Sequence, residues 1–313
     1  MFDLAQIIIG LALLFYGGNF LVTGSVRLAR ILEISPFVIG ATVIAFGTSA
    51  PELAVALLAS LEGKSELAMG NVIGSNIANI GLVLGLTALI TPIAIAPDRL
   101  KREAPAFLLA ALLILGIAWD LQINHFEGLL MVSLLGLYLW RAFNHKEGSV
   151  EELEDEVPLF AGRSSLYQTL LIIVGLVCLI GGAKLMVQGG VSIARTFGIS
   201  EWFIGITIVA IGTSLPEIVS SLIAAKRGHG EMAIGNIFGS NIFNILMVLG
   251  LTATIQPLNI QEPIQPDLII STAMTAFLLA IIAFGNHSLG KLKGIILLAV
   301  YCAYIGLKAA GSF

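Results

Sequence analysis

The chain has 313 residues, of which 57% are hydrophobic and only 12% charged, with a net charge of −4. Soluble domains carry about a quarter charged residues, so the composition is that of a polytopic membrane protein whose surroundings are the lipid bilayer. The negative balance is spread over short loops and one acidic stretch, and no nucleic-acid partner is expected.

A spanning helix needs about 20 mostly apolar residues. Ten segments meet that length, in chain order roughly 4–26, 36–61, 66–90, 100–119, 124–142, 166–189, 201–225, 231–255, 267–285 and 291–309. The first begins "MFDLAQIII", with an acid and no basic region before the apolar run, which reads as a retained helix and not a cleaved signal. Between the fifth and sixth lies "NHKEGSVEELEDEVPLFAGRSS", polar and acid-rich, without the ligand spacing of a calcium-binding loop. The expected division is therefore 1–142, a linker at 143–165, and 166–313. Cys178 and Cys302 fall inside apolar runs and read as buried packing residues, not as a disulfide or a metal site.

The second and seventh spans raise a physical question. "AFGTSAPELA", from Ala45 to Ala54, puts a glycine, two hydroxyls, a proline and a glutamate where a spanning helix should be apolar and regular. "AIGTSLPEIV", from Ala210 to Val219, repeats the pattern 165 residues later. The register holds without a gap from Ile39–Pro92 to Ile204–Pro257, and about 30 of those 54 positions are identical. Five spans per copy is an odd number, so the copies must enter the membrane in opposite orientations. Arg27, Arg30, Arg99, Lys101, Arg102, Arg141, Lys146, Arg163, Lys226, Arg227, Lys291 and Lys293 share one set of loops. Lys64, Arg195 and Lys308 are almost alone on the other, so the first set is expected in the cytoplasm and both termini outside.

Pro51 has no N–H and deprives the carbonyl of Gly47 of its helical partner, and Pro216 does the same to Gly212. A free carbonyl in hydrocarbon is costly unless it lines a cavity or meets a ligand. Beside these breaks stand Thr48, Ser49 and Glu52, and in the other copy Thr213, Ser214 and Glu217. A carboxylate buried in a membrane is expensive and marks a functional position. The set is all oxygen, which suits hard cations such as Ca²⁺ or Na⁺. The histidines, His125, His145, His229 and His287, all fall in loops or at span ends.

The following spans contribute "GNVIGSNIANI" and "GNIFGSNIFNI". Asn71, Ser75 and Asn79 recur every fourth residue on one helix face, and Asn236, Ser240 and Asn244 match them. Gly70, Gly74, Gly235 and Gly239 have the small-xxx-small spacing that lets helices approach closely. Asn76 and Asn241 fall on another face and read as packing residues.

These paired motifs resemble the alpha repeats of the calcium/cation antiporter superfamily, and most closely those of prokaryotic sodium/calcium exchangers. The resemblance covers most of the chain. It implies an all-α polytopic fold of ten transmembrane helices in two inverted five-helix repeats, with broken helices at the midplane. It also implies a ligand set of Ala45, Thr48, Ser49, Glu52, Ser75 and Asn79 from one half and Ala210, Thr213, Ser214, Glu217, Ser240 and Asn244 from the other. The alanines would offer backbone carbonyls. Ca²⁺ would sit between the two glutamates, with Na⁺ at flanking positions, both as transported ions and with no cofactor. Exchangers of this group often carry an aspartate where this chain has Asn244, which bears on the charge balance.

The expected activity is Na⁺/Ca²⁺ antiport by alternating access in the cell membrane. A Ca²⁺/H⁺ or other divalent-cation exchanger using the same glutamates is the nearest alternative. A passive channel and an intramembrane hydrolase with paired carboxylates are the remoter ones. The hydrolase lacks any nucleophile–base set beside the glutamates.

Overall fold

The computed structural model describes residues 2–144, 164–198, 210–284 and 286–310. The acidic linker therefore lies almost wholly outside the described residues, as does the first half of the expected seventh span.

The helices, in chain order, are α1 (Phe2–Leu32), α2 (Pro36–Thr48), α3 (Ala50–Leu61), α4 (Ser65–Ile90), α5 (Pro97–Ile117), α6 (His125–Asn144) and α7 (Ser165–Thr196). They continue with α8 (Ala210–Thr213), α9 (Leu215–Lys226), α10 (Gly230–Ile255), α11 (Gln265–Ala283) and α12 (Lys291–Ala309). Among the described residues, eight helices are long and apolar enough to cross a membrane, and α2 with α3, bent by 43° at their junction, makes a ninth. The starts follow from local chemistry. Ser35 caps α2 by accepting the Val38 N–H at 3.2 Å, ahead of Pro36 at the first helical position. The left-handed turns Gly63 (φ 73°) and Gly228 (φ 80°) end α3 and α9 at equivalent places in the two copies.

The first and sixth spans are longer than expected, at 31 and 32 residues. Their contact explains it. α1 and α7 pack antiparallel along glycines spaced by seven, Gly10, Gly17 and Gly24 against Gly175, Gly182 and Gly189. A methyl group at Gly10 would come within 2.8 Å of the Gly182 carbonyl, and one at Gly17 within 2.9 Å of the Gly175 carbonyl. In lipid, where apolar burial between helices gains little, such close backbone approach is the main source of attraction. Any larger side chain along this seam would force the helices apart.

Four two-residue strands tie the ends of the bundle. β1 (Ile93–Ala94) pairs antiparallel with β4 (Ser288–Leu289), and β2 (Gln122–Ile123) with β3 (Leu258–Asn259). β1 and β3 are equivalent segments of the sequence repeat. β1 and β2 lie at opposite ends of α5, and β3 is bonded to β2, so the equivalent strands stand at opposite ends of the bundle. Two further bonds follow the same exchange: Glu231 accepts the Ala96 N–H at 3.2 Å, and Glu66 accepts the Gln261 N–H at 2.9 Å.

The core holds α2, α4 and α10, with Phe238 of α10 stacked on Phe107 (4.3 Å between ring centres) and edge-on to Phe37 (5.9 Å). Cys178 is half-buried, while Cys302 is exposed on α12. The expectation that both are buried fails for Cys302, because an apolar run facing lipid has the same composition as one facing the core.

Candidate functional site

Both breaks fall at the same place. Ser49 separates α2 from α3 with φ −83° and ψ 0°, and Ser214 separates α8 from α9 with φ −90° and ψ 2°. These lie in the sparsely populated bridge region, where functional residues often sit. In each copy the proline follows two residues later, at the start of the new helix, where its missing N–H does no harm. The broken carbonyls are handled differently. The Ala45 carbonyl accepts the Ser49 N–H at 3.0 Å and the Thr48 hydroxyl at 3.4 Å. In the other copy the Ser214 N–H reaches the Ile211 carbonyl at 3.1 Å, one residue beyond Ala210. The side-chain surroundings of Ala210 lie outside the described residues.

The breaks deliver two glutamates to the interior. Glu52 and Glu217 are each 1% exposed, and they lie close enough to repel each other. Ser75 lies beside Glu52, and Thr48 beside Glu217. Among the described residues, one oxygen of Glu52 and both oxygens of Glu217 have no hydrogen-bond partner. Thr48 in turn meets Ser240 of the opposite half, with 3.4 Å between the hydroxyls. The Ser49 and Ser214 hydroxyls, and the amide oxygens of Asn79 and Asn244, are also buried without partners among the described residues. Among the described residues, no third His, Cys, Asp or Glu joins the pair.

A protein interior normally satisfies its buried polar atoms. Here the unsatisfied atoms are predominantly acceptors, supplied by both halves, and two of the groups are carboxylates. An unpaired buried carboxylate is far costlier than an unpaired amide. The arrangement is suited to a group that brings positive charge and several coordination directions, which a hard cation does.

The amides are held across the centre of the molecule. The Asn79 Nδ2 donates to Asn241 Oδ1 at 3.1 Å, and the Asn244 Nδ2 donates to Asn76 Oδ1 at 3.0 Å. Asn76 and Asn241, read from the sequence as packing residues, are thus the direct partners of the candidate ligands. Their recurrence in both copies was a signal for a role. The face argument missed it because it considered one helix at a time. Nor did the sequence announce the π-helical turns at Asn79–Leu84 and Asn244–Leu249, each of which begins at a site asparagine.

Among the described residues, a cavity of about 440 Å³ is lined by Gly70, Asn71, Gly74, Ser75 and Thr213, with Tyr301, Tyr304 and Lys308 of α12. A methyl group at Gly235 or Gly239 would overlap the carbonyl of Phe37 or Ala41. Residues 202–206, equivalent in sequence to 37–41, lie outside the described residues.

The family model described as "Sodium/calcium exchanger protein" matches the chain twice, over residues 2–144 and 167–309. A putative antiporter, CaxA, of Alkalimonas amylolytica is 38% identical across 95% of this chain and 96% of its own length. The sodium/calcium exchanger MaX1 of Methanosarcina acetivorans is 32% identical, covering 96% of each chain. A solved structure of the sodium-calcium exchanger NCX_Mj superposes with a TM-score of 0.85 at 35% identity, over 97% of this chain and 98% of that one.

Proposed function

The chain belongs to the sodium/calcium exchanger family and is a multi-pass membrane antiporter of that type, not an enzyme; on this premise we propose that it exchanges Na⁺ for Ca²⁺ at a single site shared by its two halves. The observation that carries the reading is the pair of buried, unpaired carboxylates, Glu52 and Glu217, ringed by partnerless oxygens from both copies of the repeat. Ca²⁺ binds between the two glutamates, whose charges match it. Thr48, Ser49, Ser75 and Asn79, with Thr213, Ser214, Ser240 and Asn244, complete the shell, and the carbonyls of Ala45 and Ala210 flank it. Na⁺ competes for the same oxygens. Because two carboxylates balance one Ca²⁺ or two Na⁺, the ions exclude one another electrostatically, and exchange follows without any covalent step.

Transport proceeds by alternating access between two inverted five-helix halves, 1–142 and 166–313. The pairing of β1 with β4 and β2 with β3, which exchanges equivalent segments across the bundle, supports that plan. By the arginine and lysine distribution, the acidic linker is cytoplasmic and both termini are external. The protein acts in the cell membrane, where each charge moved inward gains about 2.3 kcal/mol per 100 mV.

The second reading is Ca²⁺/H⁺ exchange. It draws on the lack of an ion-pair partner for either glutamate among the described residues, since a proton would neutralise them as well as Na⁺ does. Purified protein in liposomes decides between the two. Under the proposed function an imposed Na⁺ gradient drives Ca²⁺ uptake and an equal proton gradient does not; the opposite pattern would establish the proton-coupled reading.

A further inference from the structure

Asn79 and Asn244 each present an amide whose two ends have nearly the same shape and opposite character: an oxygen that coordinates a cation and an N–H₂ that repels one. Nothing in the residue type decides which end faces the centre. In this structure the decision is made from the opposite half. The Nδ2 of Asn244 is taken up by Asn76 Oδ1 at 3.0 Å, and the Nδ2 of Asn79 by Asn241 Oδ1 at 3.1 Å. Both ligand oxygens, Asn79 Oδ1 and Asn244 Oδ1, are left buried and free of protein partners. Asn76 is itself fixed, because its Nδ2 donates to the Asn241 carbonyl at 3.4 Å, so that its oxygen is the end offered to Asn244. All four asparagines are at most 2% exposed, so water does not substitute for these bonds.

We propose that Asn76 and Asn241 are positioning residues that act crosswise, each holding the amide of the opposite half's asparagine with its oxygen turned to the transported cation. Asn76 serves Asn244, and Asn241 serves Asn79. The inference rests on the cation-site reading above. It goes beyond that reading in making each half's ligand depend on a side chain from the other half. Without the acceptor at position 76, the Asn244 amide is free to turn and offer N–H to the ion. The site then loses one oxygen and gains a repulsive dipole, while both glutamates stay in place.

The test is a set of double-mutant cycles on the purified full-length protein, reading Ca²⁺ binding by calorimetry in Na⁺-free buffer. Asn76→Leu and Asn241→Leu, which keep bulk but remove the acceptor, should each weaken Ca²⁺ binding by about tenfold, the scale of one neutral hydrogen-bonding or ligand oxygen. The crossed pattern is the diagnostic result. Asn244→Ala should cost about tenfold in the wild-type and Asn241→Leu backgrounds but less than about twofold on Asn76→Leu, with Asn79→Ala showing the mirror-image dependence. A merely structural role would lower binding without that pairing. Equal costs in all backgrounds would overturn the proposal. If Asn76→Leu does not fold, Asn76→Ser, shorter and still polar, enters the same cycle. Glu52→Gln and Glu217→Gln serve as controls. If they leave Ca²⁺ binding intact, the site reading itself fails; if they abolish it and the crossed coupling is missing, only the positioning role fails.

Discussion

α4 and α10 carry nearly the same sequence, "GNVIGSNIANI" and "GNIFGSNIFNI", yet their first asparagines find different partners. Residues 232–250 of α10 are buried without exception. The carbonyls of Phe37 and Ala41 lie against Gly235 and Gly239, and the rings of Phe37 and Phe107 close over Phe238. Residues 202–206, equivalent in sequence to 37–41, lie outside the described residues, so the comparison rests on the asparagines. Asn71 Nδ2 donates to the Glu52 carbonyl at 3.3 Å, whereas the buried Asn236 donates to Ser220 (3.1 Å) and Ser221 (3.0 Å). Val55 and Ala56 stand where the second copy has those serines. The same motif thus meets two different neighbours, because the residues facing it on α3 and α9 differ.

The largest expected effect probes what the halves share. Glu52→Gln and Glu217→Gln each leave one negative charge against a divalent ion in a poorly screened interior. Both should abolish Ca²⁺ exchange in liposome flux assays without preventing insertion. Near-normal flux in one of them would mean that the halves do not contribute equally.

The next effect probes the packing of α10. Gly235→Ala and Gly239→Ala would press a methyl group into backbone, and overpacking of this kind costs about 1–3 kcal/mol. Thermal melts in detergent measure the loss, and unchanged melting of both variants would contradict the close packing.

A smaller effect concerns the breaks. Pro51→Ala and Pro216→Ala allow the helices to run continuously through Ser49 and Ser214, which draws hydroxyls and glutamate away from the centre. Ca²⁺ binding should weaken severalfold while the melting temperature holds or rises, because a continuous helix satisfies its own backbone. Unchanged binding in both variants would reduce the prolines to packing features.

Much of this was legible in the sequence because lipid makes errors expensive. A proline followed by a glutamate inside an apolar span has few harmless explanations, and two copies in register have fewer. Hence the breaks at Ser49 and Ser214 and the burial of Glu52 and Glu217 stand where the residues imply. Other features depend on contacts between helices that are far apart in the chain. The pairing of Asn76 with Asn244 joins residues 168 apart, and a motif read along one helix does not name its partner on another. The extension of α1 and α7 was hidden for a simpler reason: their ends carry Arg27, Arg30 and Arg195, so the apolar window stops before the helix does.

Alternating access is the central proposal, and side-specific thiol labelling at equivalent positions tests it most directly. With Cys178 and Cys302 replaced by serine or alanine, Asn71→Cys and Asn236→Cys are each exposed to a membrane-impermeant thiol reagent from one side at a time. The account predicts that position 71 reacts only from outside and position 236 only from the cytoplasm. It also predicts that any change of Na⁺ or Ca²⁺ that speeds one reaction slows the other. Labelling of both positions from the same side, or rates that rise and fall together, would contradict it.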